Sequence, residues 1–184
     1  MPTRPLNNCA VRLAAAFVAV SFLCTAFAGA HAEDASCTIM RDATYARMRV
    51  PYRSTIDTTQ PNRKPIHGEE VYTLNMIYRQ VLGRWIKTPT SPQKEIDGEK
   101  GIDATFSNCR HDGDSVLNGE PVTIYSATTR NVTLIPFTGD LKLWISKRHG
   151  IPVRSEANAS IPVLGRSHTV KVFSYDNVSP PRDN

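Results

Sequence analysis

The sequence predicts a mainly β, α+β fold: a curved antiparallel sheet, or half-open β-barrel, whose concave face is covered by an N-terminal helix and a short helix. Segments rich in Thr, Tyr, Val and Ile recur along the chain, and clusters of Gly, Asn, Asp and Pro separate them. Helical patterns are few and lie early, so they cannot supply the crossovers of a parallel sheet. With 184 residues, 40% hydrophobic and 21% charged, the composition is that of a globular domain, which excludes disorder and coiled coil.

The first 32 residues predict a cleaved secretory signal peptide. Arg4 and Arg12 precede or begin an apolar stretch over 13–30, and Ala30-His31-Ala32 fits the small-residue cleavage pattern. The alternative is an uncleaved membrane anchor, because the stretch is nearly long enough to span a bilayer. We expect cleavage, and therefore a secreted protein with no stable membrane insertion.

Cysteine usage predicts one disulfide. Cys9 and Cys24 leave with the signal peptide, so only Cys37 and Cys109 remain. Two cysteines in an oxidising compartment favour a bridge, and two unpaired buried thiols are the alternative. Closing so long a loop stabilises the fold by about 4 kcal/mol in the chain-entropy model.

Two segments predict helices. Residues 37–50 contain no Gly or Pro, and their apolar side chains recur at spacings of three and four. Pro51 ends this helix, because the residue before a proline is disfavoured in the helical conformation. Ser91 is a predicted N-cap for a short helix over 92–97, which Gly98 stops.

The remaining pattern predicts a single β domain over 33–178 and a flexible, Pro-rich tail over 179–184. Turn signals divide it into short strands, at a spacing typical of antiparallel sheets. The predicted strands are Tyr52–Thr59, Ile66–Val81, Arg84–Lys87, Ala104–His111, Pro121–Thr129, Leu141–Ser146, Val153–Ser160 and Thr169–Tyr175.

One apolar row is the candidate ligand surface. Apolar and aromatic residues alternate through the segment 66–81, which predicts that they share one face of a strand. Such a row fills an ordinary core or lines a cavity, and Met and aromatic side chains suit loose packing against acyl chains. The candidate cavity residues are Tyr72, Leu74, Met76, Tyr78, Trp85, Leu141, Leu143 and Ile145.

Signatures of catalysis and of metal binding are absent from the sequence. It contains no C-x-x-C, H-x-x-x-H or G-x-S-x-G motif and no phosphate-binding glycine loop. We therefore predict no cofactor, no metal and no enzymatic activity, with a dispersed hydrolase triad around His149 or His168 as an alternative. The formal net charge of +5 falls to +3 without the signal peptide, which is too mild to predict nucleic-acid binding.

Several short stretches, in their order along the chain, resemble the periplasmic lipoprotein-carrier (LolA/LolB-like) superfamily, particularly secreted members from Gram-negative bacteria. The stretches are Val71–Tyr78, Gly83-Arg84-Trp85, Pro89-Thr90-Ser91-Pro92, Leu143-Trp144-Ile145-Ser146, Gly150-Ile151-Pro152-Val153-Arg154 and Tyr175-Asp176-Asn177-Val178. The resemblance implies a half-open barrel with helices across its mouth and a concave apolar face that holds acyl chains. It also implies a gating arginine, for which Arg47, Arg49 and Arg53 are candidates.

Together these observations predict a periplasmic, non-enzymatic protein that binds a lipid, a lipoprotein acyl chain or another apolar ligand in a curved β-sheet. The alternative is a cell-envelope interaction module that has a packed core and docks a protein partner through an edge strand or loop.

Overall fold

The structure is a computed structural model that describes residues 35–81, 83–101, 105–131, 137–161 and 165–182. The predicted signal peptide lies outside these ranges.

The described residues form two helices and nine strands. Helix α1 covers residues 35–47. The other elements are β1 (Tyr52–Thr59), β2 (Ile66–Tyr72), β3 (Met76–Val81), β4 (Arg84–Pro89), α2 (Pro92–Gly101), β5 (Thr105–Leu117), β6 (Glu120–Asn131), β7 (Phe137–Ser146), β8 (Pro152–Ile161) and β9 (Gly165–Ser174).

All nine strands belong to one sheet, in the order β4-β3-β2-β1-β9-β8-β7-β6-β5. Every neighbouring pair is antiparallel, from β1 with β2 through to β8 with β9. Two meanders, β1–β4 and β5–β9, are therefore joined along β1 and β9, and β4 and β5 are the free edges. The prediction of a mainly β, antiparallel open sheet with two helices is confirmed.

Local turn chemistry explains several connections. Asn118 and Gly119 both have positive φ, 51° and 83°, and form a two-residue loop between β5 and β6. That geometry matches the twist of paired strands, and Asn-Gly adopts it at little cost. Ser91 Oγ accepts a hydrogen bond from Lys94 N at 3.2 Å, so the predicted N-cap is confirmed.

The prediction of one continuous strand over Ile66–Val81 is wrong, because the chain reverses at 73–75. Thr73 N donates to Met76 O at 3.0 Å, and Leu74 takes a positive φ of 70°. The Thr73 hydroxyl also donates to Asn75 Oδ1 at 3.1 Å, a side-chain bond that stabilises a turn. Period-two alternation continues across this reversal, so the sequence pattern does not reveal it.

Two predicted turns lie inside strands instead. The segment 111–114 belongs to β5, whose pairing with β6 shifts register between Ser107 and Arg110 and between His111 and Gly113. These shifts are β-bulges, which accommodate turn-forming residues without ending the strand. The segment 138–140 belongs to β7. Helix α2 likewise continues through Gly98, the residue expected to stop it, to Gly101.

Helix α1 packs against one face of the sheet, here called the helix face. Its Met40 and Ala43 are buried with Ala127, Leu143 and Ile145 from β6 and β7. The predicted disulfide is confirmed: Cys37 of α1 is bonded to Cys109 of β5, with their Cα atoms 5.2 Å apart. Helix α2 contacts α1 where Lys100 Nζ lies 5.6 Å from the centre of the Tyr45 ring.

The strand register assigns other residues to the helix face. Paired residues on neighbouring strands share a face, and alternate residues along a strand share it as well. Leu143 pairs with Ser155, Ser155 with Lys171, and Lys171 with Ile56. The helix face therefore continues from β7, beneath α1, across β8 and β9 to β1.

Candidate functional site

Five of the eight predicted cavity residues lie at the helix face. Leu143 and Ile145 are buried beneath α1, and Leu141 packs against the same group. Tyr72 and Leu74 belong to a second group, here called the aromatic cluster, with Tyr52, Ile77, Phe173 and Tyr175. In this structure the surface around Leu143 is filled by Met40 and Ala43, so a ligand reaches it only if α1 moves.

The other three predicted cavity residues project from the opposite face. Tyr72 pairs with Ile77, so the adjacent Met76 and Tyr78 alternate away from it. Trp85 pairs with Gln80, which shares a face with Tyr78. The eight residues therefore do not form one surface, and the reversal at 73–75 is the reason.

An exposed apolar surface lies on the helix face beyond the reach of α1. Ile66, Val81 and Ile86 are 60%, 46% and 52% exposed, and the register places all three on this face with the half-buried Ile56. We call these four residues the apolar patch. The sequence analysis missed it, although Ile86 alternates with Trp85 along β4, and that signal was available.

A buried carboxylate lies between the apolar patch and the aromatic cluster. Glu70 is 6% exposed and accepts hydrogen bonds from Tyr52 Oη at 2.8 Å, Lys171 Nζ at 2.8 Å and Arg79 Nε at 2.7 Å. Burial alone raises the pKa of Glu70, but the charge of Lys171 and the three hydrogen bonds outweigh it and lower the pKa to about 2. Glu70 is therefore ionised over the whole physiological range.

The groups around Glu70 are also perturbed. Burial lowers the pKa of Lys171, the Glu70 carboxylate opposes this, and the positive charges of Arg47 and Arg79 add to it. Burial raises the pKa of Tyr52, so its hydroxyl stays protonated and can donate to Glu70.

One of the three candidate gating arginines faces this region. The Arg47 guanidinium lies 5.1 Å from the ring centres of both Tyr52 and Phe173. Arg49 is exposed, and Arg53 alternates to the opposite face of β1. Among the described residues, no carboxylate lies within ion-pair distance of Arg47.

A polar cleft of about 810 Å³ lies at the other end of the sheet. It is lined largely by hydroxyl, amide and charged side chains, among them Thr59, Asp140, Asn158, Arg166 and His168. His168 Nδ1 lies 2.8 Å from Asn158 Oδ1. This polar lining does not match the apolar cavity that the sequence predicts.

The part of the chain that the structure describes contains no group of three or more His, Cys, Asp or Glu residues able to hold a metal ion. Nor does any helix within the described ranges combine the length and apolar character needed to cross a membrane.

Comparison with solved structures finds similar folds at low sequence identity. LprF from Mycobacterium bovis is 11% identical with a TM-score of 0.46, and the match covers 81% of this chain and 97% of that one. Lipoprotein LppX from Mycobacterium tuberculosis is 12% identical with a TM-score of 0.47, covering 79% and 98%. A LolA superfamily protein from Nitrosomonas europaea is 7% identical with a TM-score of 0.30, covering 78% and 91%.

The superfamily that the sequence motifs resemble is therefore represented among these structures. No protein-family model matches the chain, and no curated protein matches it.

Proposed function

We propose that this protein is a periplasmic, non-enzymatic binding protein that holds a lipid or an acyl chain against the helix face of its sheet. The observation that carries the proposal is the apolar patch. Ile66, Val81 and Ile86 are exposed on three adjacent strands, on the face that elsewhere forms the core with α1. Exposed apolar side chains gathered on one face are typical of interaction sites.

The size of the patch limits the affinity that apolar contact alone provides. Each of its three half-exposed side chains contributes roughly 1 kcal/mol when a ligand covers it. Association costs about 4 to 15 kcal/mol in lost translational and rotational freedom. Useful affinity therefore needs further contacts, from a ligand head group or from core surface exposed when α1 shifts.

Both sheet edges carry features that disfavour the alternative of an edge-strand interaction module. Strand β5 contains two bulges, with Asn108 and Gly113 at positive φ. Strand β4 carries Arg84 and Lys87 and ends in Pro89, which cannot donate a backbone hydrogen bond. Bulges, cations and proline are the usual means by which edge strands avoid pairing with another chain.

Displacement of a fluorescent fatty acid, cis-parinaric acid, tests the proposed function. We expect Ile86→Gln to weaken binding about five-fold, because it removes roughly 1 kcal/mol of apolar contact. Val116→Gln is the matched control, since Val116 is an exposed residue on the other edge strand, β5. Equal affinities of both variants, with unchanged thermal unfolding, would place the ligand elsewhere.

A further inference from the structure

The helix face holds more positive than negative charge beside the apolar patch. Arg47, Arg79 and Lys171, here called the cationic cluster, surround the single carboxylate Glu70. One carboxylate neutralises one of three cations, so the group carries a net charge of about +2 in a partly desolvated position.

The cationic cluster retains unused hydrogen-bond donors. Glu70 takes one N–H from Arg79 and one from Lys171, whereas a guanidinium has five N–H groups and an ammonium has three. Arg79 is 54% exposed and Lys171 is 21% exposed, so solvent and ligands have access to them. The remaining donors suit the oxygens of an anion.

The cations crowd the same aromatic rings. Lys171 Nζ lies 5.7 Å from the centre of the Tyr52 ring and 5.4 Å from that of Phe173, the two rings that Arg47 also contacts. Close like charges repel, and a second anion relieves that repulsion. Ser54, 1% exposed, lies between Glu70 and Phe173 in the register, and its Oγ has no hydrogen-bond partner.

The cationic cluster and the apolar patch are directly adjacent. Arg79 pairs with Ile86 across β3 and β4, and Lys171 pairs with Ile56 across β9 and β1. Side chains of directly paired residues lie about 5 Å apart at Cβ. A ligand on the patch therefore has its polar end within reach of the cations.

We propose that Arg47, Arg79 and Lys171 bind the oxyanion head group, a phosphate or carboxylate, of an amphiphile whose apolar chain lies on the patch. This inference rests on the proposed function and adds the chemical class of the ligand. Charge-assisted hydrogen bonds to the head group provide the affinity that the small patch lacks.

A pair of ligands with the same acyl chain tests the head-group site: lysophosphatidic acid, which carries a phosphate, and monoacylglycerol, which does not. Calorimetry on the disulfide-bonded protein measures both affinities. We expect the phosphate-bearing ligand to bind about ten-fold more tightly or better, since hydrogen bonds to charged groups contribute about 1.5 to 3 kcal/mol. Added salt reduces the preference.

Arg47→Gln is the informative variant, because removing Arg47 leaves no buried carboxylate without its partner. We expect the ratio of the two affinities to fall toward one. Arg49→Gln is the matched control, since Arg49 is exposed two residues further on. A preference that survives Arg47→Gln, with native thermal unfolding, would overturn the role of Arg47.

The remaining outcomes separate this inference from the proposed function. Equal affinity of the unmodified protein for both ligands would refute the head-group site and leave the proposed function standing. If neither ligand binds, the proposed function fails and the inference fails with it. Glycerol 3-phosphate binding as tightly as lysophosphatidic acid would show a site for free anions and refute a lipid head group.

Discussion

The buried Glu70 predicts a specific loss of stability in acid. Its pKa is about 2 in the folded protein, against 4.5 in the unfolded chain. As pH falls below 4.5 the unfolded chain takes up a proton that folded Glu70 refuses, and this favours unfolding. The stability from Glu70 is complete above pH 4.5 and disappears as pH approaches 2. The pKa difference corresponds to about 3 kcal/mol, at 1.36 kcal/mol per pKa unit.

Urea unfolding of the natural protein and of Glu70→Gln, from pH 7 down to pH 2, measures this contribution. The variant does not titrate at this position, so the stability difference between the two proteins should be constant above about pH 5 and shrink by about 3 kcal/mol toward pH 2. Glu69→Gln, which removes the adjacent carboxylate on the opposite face, controls for the loss of one charge. A difference that does not change with pH would refute the ionised, buried state of Glu70.

Three further predictions concern other parts of the fold. Replacing Cys37 and Cys109 together by Ser should lower the free energy of unfolding by about 4 kcal/mol, measured in urea, because the bridge closes a long loop; no loss would contradict the bridge. Gly139→Ala should destabilise by about 2 kcal/mol or more, because its Cβ would lie 2.1 Å from Asn158 O, whereas Gly98→Ala, with open space in α2, should stabilise by up to about 1 kcal/mol; equal thermal shifts would refute the close β7–β8 approach. Trp85→Ala should weaken fatty-acid binding less than Ile86→Gln, because Trp85 lies on the opposite face; a larger loss would favour the ligand surface predicted from the sequence.

Local patterns predicted the elements of this fold better than their connections. The alternating apolar positions and the Asn118-Gly119 turn correctly predicted strands and a hairpin, because both signals are local. The reversal at 73–75 was missed, since it depends on Thr73 and Asn75 hydrogen bonds that leave the alternation undisturbed. The pairing of β1 with β9 joins segments more than a hundred residues apart, and no local pattern specifies it.

The candidate site was less predictable for the same reason. Glu70, Arg79 and Lys171 come from three strands, and Arg47 comes from a helix. In the sequence each is an isolated charged residue of the kind usually found in solvent. Only the register brings them together, and only their common burial reveals that one carboxylate serves three cations.

The most direct test of lipid binding at the helix face is native mass spectrometry of the protein purified from an exporting Gram-negative host. Measured before and after solvent extraction, a bound lipid should add a mass that extraction removes and that Ile86→Gln retains less well than Val116→Gln. A ligand-free mass, unchanged after incubation with phospholipid and with lysophosphatidic acid, would contradict the account and direct the search to protein partners.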